Sequence, residues 1–220
     1  MKTKGLTLLC LMLLLCRLVQ AAPETPDADT TDHAPSPPLV LNLFYHDQLE
    51  PREIASLGPD YLAWFIKELT QVTGRRIEVI SLSRIPGLTD LGYRQDDALA
   101  SLSAWDDRVR GYIEKMNLPK STRRHKYVLI TRHNINAEVL GIAFPTKGVA
   151  IASIKAYNTL GHEIGHLFGA VHEHAETRLA AFPPCRTLMY PEHTLLIANC
   201  FVFSEKNRQT IHQDVNGKPD

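Results

Sequence analysis

Residues 161–174 read Gly161-His162-Glu163-Ile164-Gly165-His166-Leu167-Phe168-Gly169-Ala170-Val171-His172-Glu173-His174, and they decide how the rest of the chain is read. His162 and His166 stand four apart. On an α-helix that spacing separates two side chains by about 40° in azimuth and about 6 Å in rise, so both imidazoles lie on one face and can converge on one metal ion. Glu163 follows the first histidine and points past such an ion, a position that suits a base acting on water. Gly169 comes three residues after His166. Glycine adopts a left-handed backbone at low cost, so the helix can stop there and the chain can turn. The turn brings His172 back as a third ligand. Three protein ligands leave one tetrahedral position open, the arrangement of a catalytic rather than a structural zinc site. In a chain of this composition the full pattern, His-Glu-x-x-His-x-x-Gly-x-x-His, arises by chance with a probability on the order of 10⁻⁴, which sets coincidence aside. His174 misses the ligand spacing, and His46, His125, His133 and His212 match none.

Upstream, short apolar and amphipathic runs alternate irregularly. Leu39 to Tyr45 reads as a buried strand. Pro59 to Val72 carries Leu62, Phe65, Ile66 and Leu69 at helical spacing, with Gly74 as the stop. Arg76 to Leu82 alternates as a strand, Asp96 to Asn117 reads as a long helix that Gly111 can interrupt, and Lys126 to Thr131 is a further strand. Val139 to Phe144 and Val149 to Ile154 flank Pro145-Thr146-Lys147-Gly148, a hairpin connection. The spacing predicts a helix from about Ala156 to Phe168 and a short closing helix around Ser204 to His212. Strands and helices mix without strict alternation, which predicts a mixed sheet with helices packed on it. Asp106-Asp107 and Arg123-Arg124 read as solvated faces.

HEIGHLFGAVH resembles the extended zinc-binding motif of the metzincins, the clan that holds matrixins, astacins, serralysins and adamalysin-like proteases. The resemblance implies an α+β fold: a mixed twisted sheet, a backing helix, an active-site helix and a small loop-rich C-terminal subdomain, here residues 39–215. It implies one catalytic Zn2+ on His162, His166 and His172, with Glu163 as catalytic base. It also implies a methionine-bearing turn under the metal, matched by Thr187-Leu188-Met189-Tyr190-Pro191 with Met189 as floor. Leu-Met-Tyr-Pro is similar to the matrixin turn, whereas the flanking Cys185 and Cys200 are more similar to adamalysins, so no subfamily follows. In the clan the strand before the active-site helix pairs with extended substrate, a role that Gly141, Ile142 and Ala143 fit by position. Astacins and serralysins place a tyrosine two residues after the methionine. Here Pro191 stands there and Tyr190 is one residue early, so Tyr190 takes no catalytic role. His193, near the turn, is a candidate border of the substrate pocket.

The function this predicts is a secreted zinc-dependent endopeptidase acting on polypeptide in extended conformation. Two alternatives stay open: a zinc-binding interaction module on a protease-like fold without turnover, and a cell-wall peptide hydrolase. An intact Glu163 speaks against the first, and no cell-wall-binding module supports the second. No Gly-rich phosphate loop or GxSxG elbow offers a rival chemistry.

The ends of the chain speak to compartment. Lys2 and Lys4 precede an apolar run from Leu6 to Leu15 and a small-residue junction at Val19-Gln20-Ala21-Ala22, the order of a signal peptide over residues 1–21. The run is short for a membrane span of roughly 20 residues, so no stable membrane anchor is expected. Residues 22–38, rich in Pro, Asp, Thr and Ser, read as a disordered leader. The expected localisation is secreted or periplasmic. The 24 basic and 24 acidic side chains balance; three of the basic ones, Lys2, Lys4 and Arg17, lie in the signal, so the remainder is weakly acidic, which argues against nucleic acid as partner. A monomer is expected. Cys10 and Cys16 also fall in the signal, leaving Cys185 and Cys200 as one disulfide in an oxidising compartment.

Overall fold

The run Leu39–Tyr45 forms β1 and is buried along almost its whole length, as a continuous apolar strand covered on both faces must be. This is a computed structural model that describes residues 36–120, 123–191 and 197–217. The expected signal peptide, most of the expected leader and His193 lie outside the described residues. Four further strands complete the sheet: β2 (Ile77–Ser83), β3 (His125–Thr131), β4 (Gly141–Phe144) and β5 (Val149–Ser153). Their order is β2-β1-β3-β5-β4. The first four are parallel, and only β4 runs antiparallel, hairpinned to β5 through a tight turn at Pro145–Lys147 and left-handed Gly148.

The helices lie on both faces. After β1 the chain is helical from Pro51 to Thr73, earlier than the spacing predicted: α1 (Pro51–Ser56), a π-helical stretch (Leu57–Leu62) and α2 (Ala63–Thr73). The missed start is explained by a capping box between Glu50 and Glu53 with Pro51 in the first turn. The wider π turn falls at Pro59, which has no N–H to give to an α-helical ladder. Gly74 ends α2 in the left-handed conformation expected of it. On the opposite face α3 (Ala98–Lys115) packs Leu102, Trp105, Val109 and Ile113 against Phe44, Tyr127, Leu129 and Ile151 of the strands. Gly111 does not interrupt α3. The expectation of a mixed sheet with helices on it therefore holds. The class, however, is α/β rather than α+β, because parallel strands must be joined by crossovers and these place helices on both faces.

The helix that carries His162 and His166, α4 (Thr159–Leu167), lies with α2 on the first face, where Leu160, Ile164 and Leu167 join the core of Leu41, Leu43, Val128 and Ile130. The remainder is a small subdomain: a three-stranded sheet of β6 (Thr177–Arg178), β7 (Cys185–Arg186) and β8 (Ala198–Asn199), then α5 (Glu205–Asn216) capped by Ser204. The expected disulfide joins Cys185 to Cys200. The reading of Asp106 is also corrected. Asp106 is not on a solvated face but is 5% exposed, with Arg110 and Lys147 both on its Oδ2. Among the described residues no helix is long and apolar enough to cross a membrane.

One ion pair fixes the subdomain to the body of the fold. Glu68 of α2, 3% exposed, accepts two bonds from Arg208 of α5, 3.0 and 2.7 Å, and a third from the Phe203 amide. Removing Arg208 strands a buried carboxylate. Arg208→Ala is expected to cost about 3 kcal/mol in urea unfolding, and adding Glu68→Gln to recover most of that loss.

Candidate metal centre

α4 ends as the glycine spacing predicts. Ala170 N–H bonds Gly165 O and Gly169 N–H bonds His166 O, both at 3.0 Å, the paired bonds of a Schellman turn with Gly169 at φ +87°. The chain then runs back past the helix, and His172 meets the two helical histidines. Its Nε2 lies 2.9 Å from His162 Nε2 and 3.0 Å from His166 Nε2. Among the described residues these three form the convergent set of metal-ligating side chains. His174 is not in it: its ring faces Thr210.

The outer nitrogens show why this set calls for a cation. His162 Nδ1 is 2.9 Å from Leu188 O, and His166 Nδ1 is 2.9 Å from Ala170 O. A carbonyl can only accept, so both Nδ1 atoms carry the ring proton. In the neutral rings the two Nε2 atoms then turn lone pairs inward. His172 Nε2 can carry one proton at most, so it cannot satisfy both neighbours, and at least one pair of lone pairs faces across the gap. A metal ion removes that repulsion. Three nitrogens about 2.0–2.1 Å from a tetrahedral zinc stand roughly 3.3 Å apart, so the set needs to open by only a few tenths of an ångström. All-imidazole donors with one open position suit zinc. The cofactor is zinc.

Other residues hold the ligands. Asn207, fully buried on α5, clamps Val171 on both sides: its Oδ1 accepts the Val171 amide at 2.9 Å and its Nδ2 donates to Val171 O at 3.0 Å. That fixes the residue before His172. Met189 is fully buried, and its thioether packs against α4 at Gly165. Tyr190 stacks on the Arg186 guanidinium instead of turning to the cleft. The anchoring acceptors Leu188 O and Ala170 O are backbone groups with no sequence signal, and Asn207 lies 35 residues beyond the third histidine.

Glu163 is 6% exposed, and burial pushes its carboxyl up to about 8. Burial is also the main cause that lowers His166. A dication on the histidines favours the carboxylate and so opposes the effect of burial on Glu163. Glu163, the three histidines, Gly141, Ile142 and Ala143 all line one cleft of about 360 Å³. Glu138, Val139, Leu140, Pro145, Thr159 and Pro191 complete its walls and were not foreseen. The Ile142 side chain itself packs on the α3 side, so the strand lines the cleft with its backbone and its two small residues.

No protein-family model and no curated protein sequence matches the chain. Solved structures do. The crystal structure of metalloproteinase-II from Bacteroides fragilis aligns with a TM-score of 0.56 at 17% identity, over 82% of this chain and 55% of that one. Archaemetzincin from Methanopyrus kandleri aligns with a TM-score of 0.52 at 18% identity, over 81% of this chain and 96% of that one. A zinc-dependent peptidase from Methanocorpusculum labreanum (strain Z) aligns over 78% of this chain and 99% of that one, at 23% identity and a TM-score of 0.47. The first two share this chain's fold. At such identities the likeness extends to architecture and no further.

Asn207 offers a direct measure of how the third ligand is held. Asn207→Leu removes the clamp on Val171 and is expected to weaken zinc binding about 10- to 100-fold in competition with a chromophoric chelator, as partners that orient ligands typically do.

Proposed function

We propose that this chain is a zinc-dependent endopeptidase of the metzincin type, cleaving internal bonds of polypeptide bound along β4. The observation that carries the reading is a desolvated carboxyl, Glu163, beside three histidines whose ring nitrogens meet in a cleft bounded by the edge strand of the sheet. Zinc supplies a Lewis acid that polarises a carbonyl and lowers the pKa of water to about 7.

The chain's own residues do the rest. Glu163 takes the proton of the attacking water and delivers it to the leaving amine. Burial raises its proton affinity towards neutrality, so the same group can accept and release a proton in one cycle. β4 is the last strand of its sheet, and its outer edge receives extended substrate by strand addition, which selects backbone over sequence. Ala143 keeps the cleft wall low, so a substrate chain can lie close. Thr187 to Pro191 act as the methionine turn, with Met189 holding the histidine helix from below.

The zinc motif and Met189 support the metzincin placement, and the matrixin-like and adamalysin-like traits leave the subfamily open. The basic and apolar start of the chain and the Cys185–Cys200 bond support export to an oxidising compartment. Residues 39–215 act as one catalytic domain in this reading. Nothing in the geometry favours a zinc-holding binding module, since binding alone has no use for Glu163 in the cleft.

The test uses a denatured, unstructured protein as substrate. Wild-type protein is expected to cleave it, a chelator to abolish cleavage and added zinc to restore it. Glu163→Ala is expected to retain about one zinc and to lose about 10²–10⁴ in kcat; full activity in that variant would falsify the assigned base.

A further inference from the structure

The strand that edges the cleft begins with a residue that has no side chain, and the reason lies in Glu163. A Cβ built on Gly141 would stand 2.6 Å from Glu163 Cγ, 2.8 Å from Oε1 and 2.9 Å from Cδ. Non-bonded heavy atoms attract best at about 3.5–4.0 Å, so any other amino acid at 141 would overlap the end of the glutamate side chain. Glu163, 6% exposed, is a flexible arm at the cleft wall, so a Cβ at 141 would push its carboxyl out of this place rather than leave it there. The backbone does not itself require glycine, because Gly141 is not among the residues with positive φ. The requirement is for space alone. The next residues show the contrast. Ile142 and Phe144 pack towards α3, whereas Ala143 packs with the core on the α4 side. Positions 141 and 143 therefore face the active helix, and only at 141 does a methyl group collide with the carboxyl arm.

We infer that Gly141 is a positioning residue for Glu163: the side chain it lacks leaves the slot in which the glutamate carboxyl lies against the cleft-edge strand. The inference rests on the proposed reading of Glu163 as base and of β4 as the substrate edge. It gives the two a common reference. The backbone that would pair with substrate is the same backbone that the base is packed on, so the distance between base and scissile bond is set by one short strand. The zinc ligands have separate supports, Leu188 O, Ala170 O and the Asn207 clamp. A methyl group at 141 should therefore displace the base and leave the metal in place.

A rival account of the same glycine is that the substrate backbone needs it for close approach. That account predicts weaker substrate binding and no energetic link to Glu163. The two are separated by a double-mutant cycle on the zinc-loaded protein, comparing wild type, Gly141→Ala, Glu163→Ala and the double variant by thermal unfolding. Gly141→Ala is expected to lower Tm by about 3–8 °C with Glu163 present, and by no more than about 1 °C in the Glu163→Ala background, where the obstructing atoms are gone. Equal losses in both backgrounds, no loss in either, or failure of both Gly141 variants to fold overturns the inference. In turnover, Gly141→Ala is expected to lower kcat about 10- to 100-fold, with KM and zinc affinity within about twofold of wild type. A raised KM with kcat preserved overturns it in favour of the substrate-approach account. The unfolding cycle needs no turnover. A coupled cycle in a protein that cleaves nothing defeats the peptidase reading and leaves the Gly141–Glu163 contact standing, whereas an uncoupled cycle in an active peptidase defeats this inference alone.

Discussion

Three imidazole nitrogens pointing at one another across about 3 Å are the constraint on which the C-terminal half of this molecule depends. Left to themselves the rings would rotate or take up protons, and the fold prevents the first. Leu188 O and Ala170 O each accept one Nδ1 proton, which sets both the tautomer and the ring orientation of the helical pair. Hydrogen bonds to the far nitrogen are the usual way a protein prepares histidine for a metal. Here they come from backbone carbonyls. Those carbonyls are placed by turns, and the turns have their own supports.

The supports are shared. The Thr187 amide bonds Glu176 O, and the Thr187 hydroxyl accepts the Glu176 amide. The segment that follows His172 is thus tied to the one that carries Leu188 and Met189. β6 pairs with β7 beside this link, and the disulfide joins β7 to Cys200. From the other side α5 contributes Asn207 to Val171 and Arg208 to Glu68. One small sheet and one helix therefore fix the third ligand, the acceptor for the first ligand and Met189 against α4. Leu188, Met189, Phe203, Ile211 and Val215 of this subdomain bury into the core shared with α2 and α4, and the disulfide and the buried ion pair add to that packing.

Much of this was legible in the residues, and the parts that were not share a cause. The strands β1, β3 and β5 announced themselves because continuous or alternating apolar runs are a direct imprint of burial. The site announced itself because a helix converts a spacing of four into a shared face, and Gly169 converts a spacing of three into a turn. The helical start at Pro51 was missed because its signal is a reciprocal cap between Glu50 and Glu53, with no apolar stripe. Asp106 was misread because a charged pair looks solvated until a lysine 41 residues away is found on it. Leu188 O, Ala170 O and Asn207 left no trace because backbone groups have no letter and long-range hydrogen bonds no period. Parallel pairing, which moved the class from α+β to α/β, is a property of connections and not of any single strand.

The same limit bears on Glu163, where two opposing electrostatic terms meet. Burial alone makes the carboxyl hold its proton up to about pH 8, while a dication on the neighbouring histidines draws it towards the ionised form. A carboxyl on an exposed helix face would be fully ionised and a poor proton carrier. One buried without a cation would stay protonated and could not act as a base near neutral pH. The geometry sets the group between these limits by placing it one residue from the first metal ligand and packing its side chain against Gly141. In the proposed reaction the proton affinity of the base is a property of the whole arrangement: the helix that supplies the ligands, the strand that closes the cleft and the metal between them. That is why the sequence could name the residue but could not give its strength.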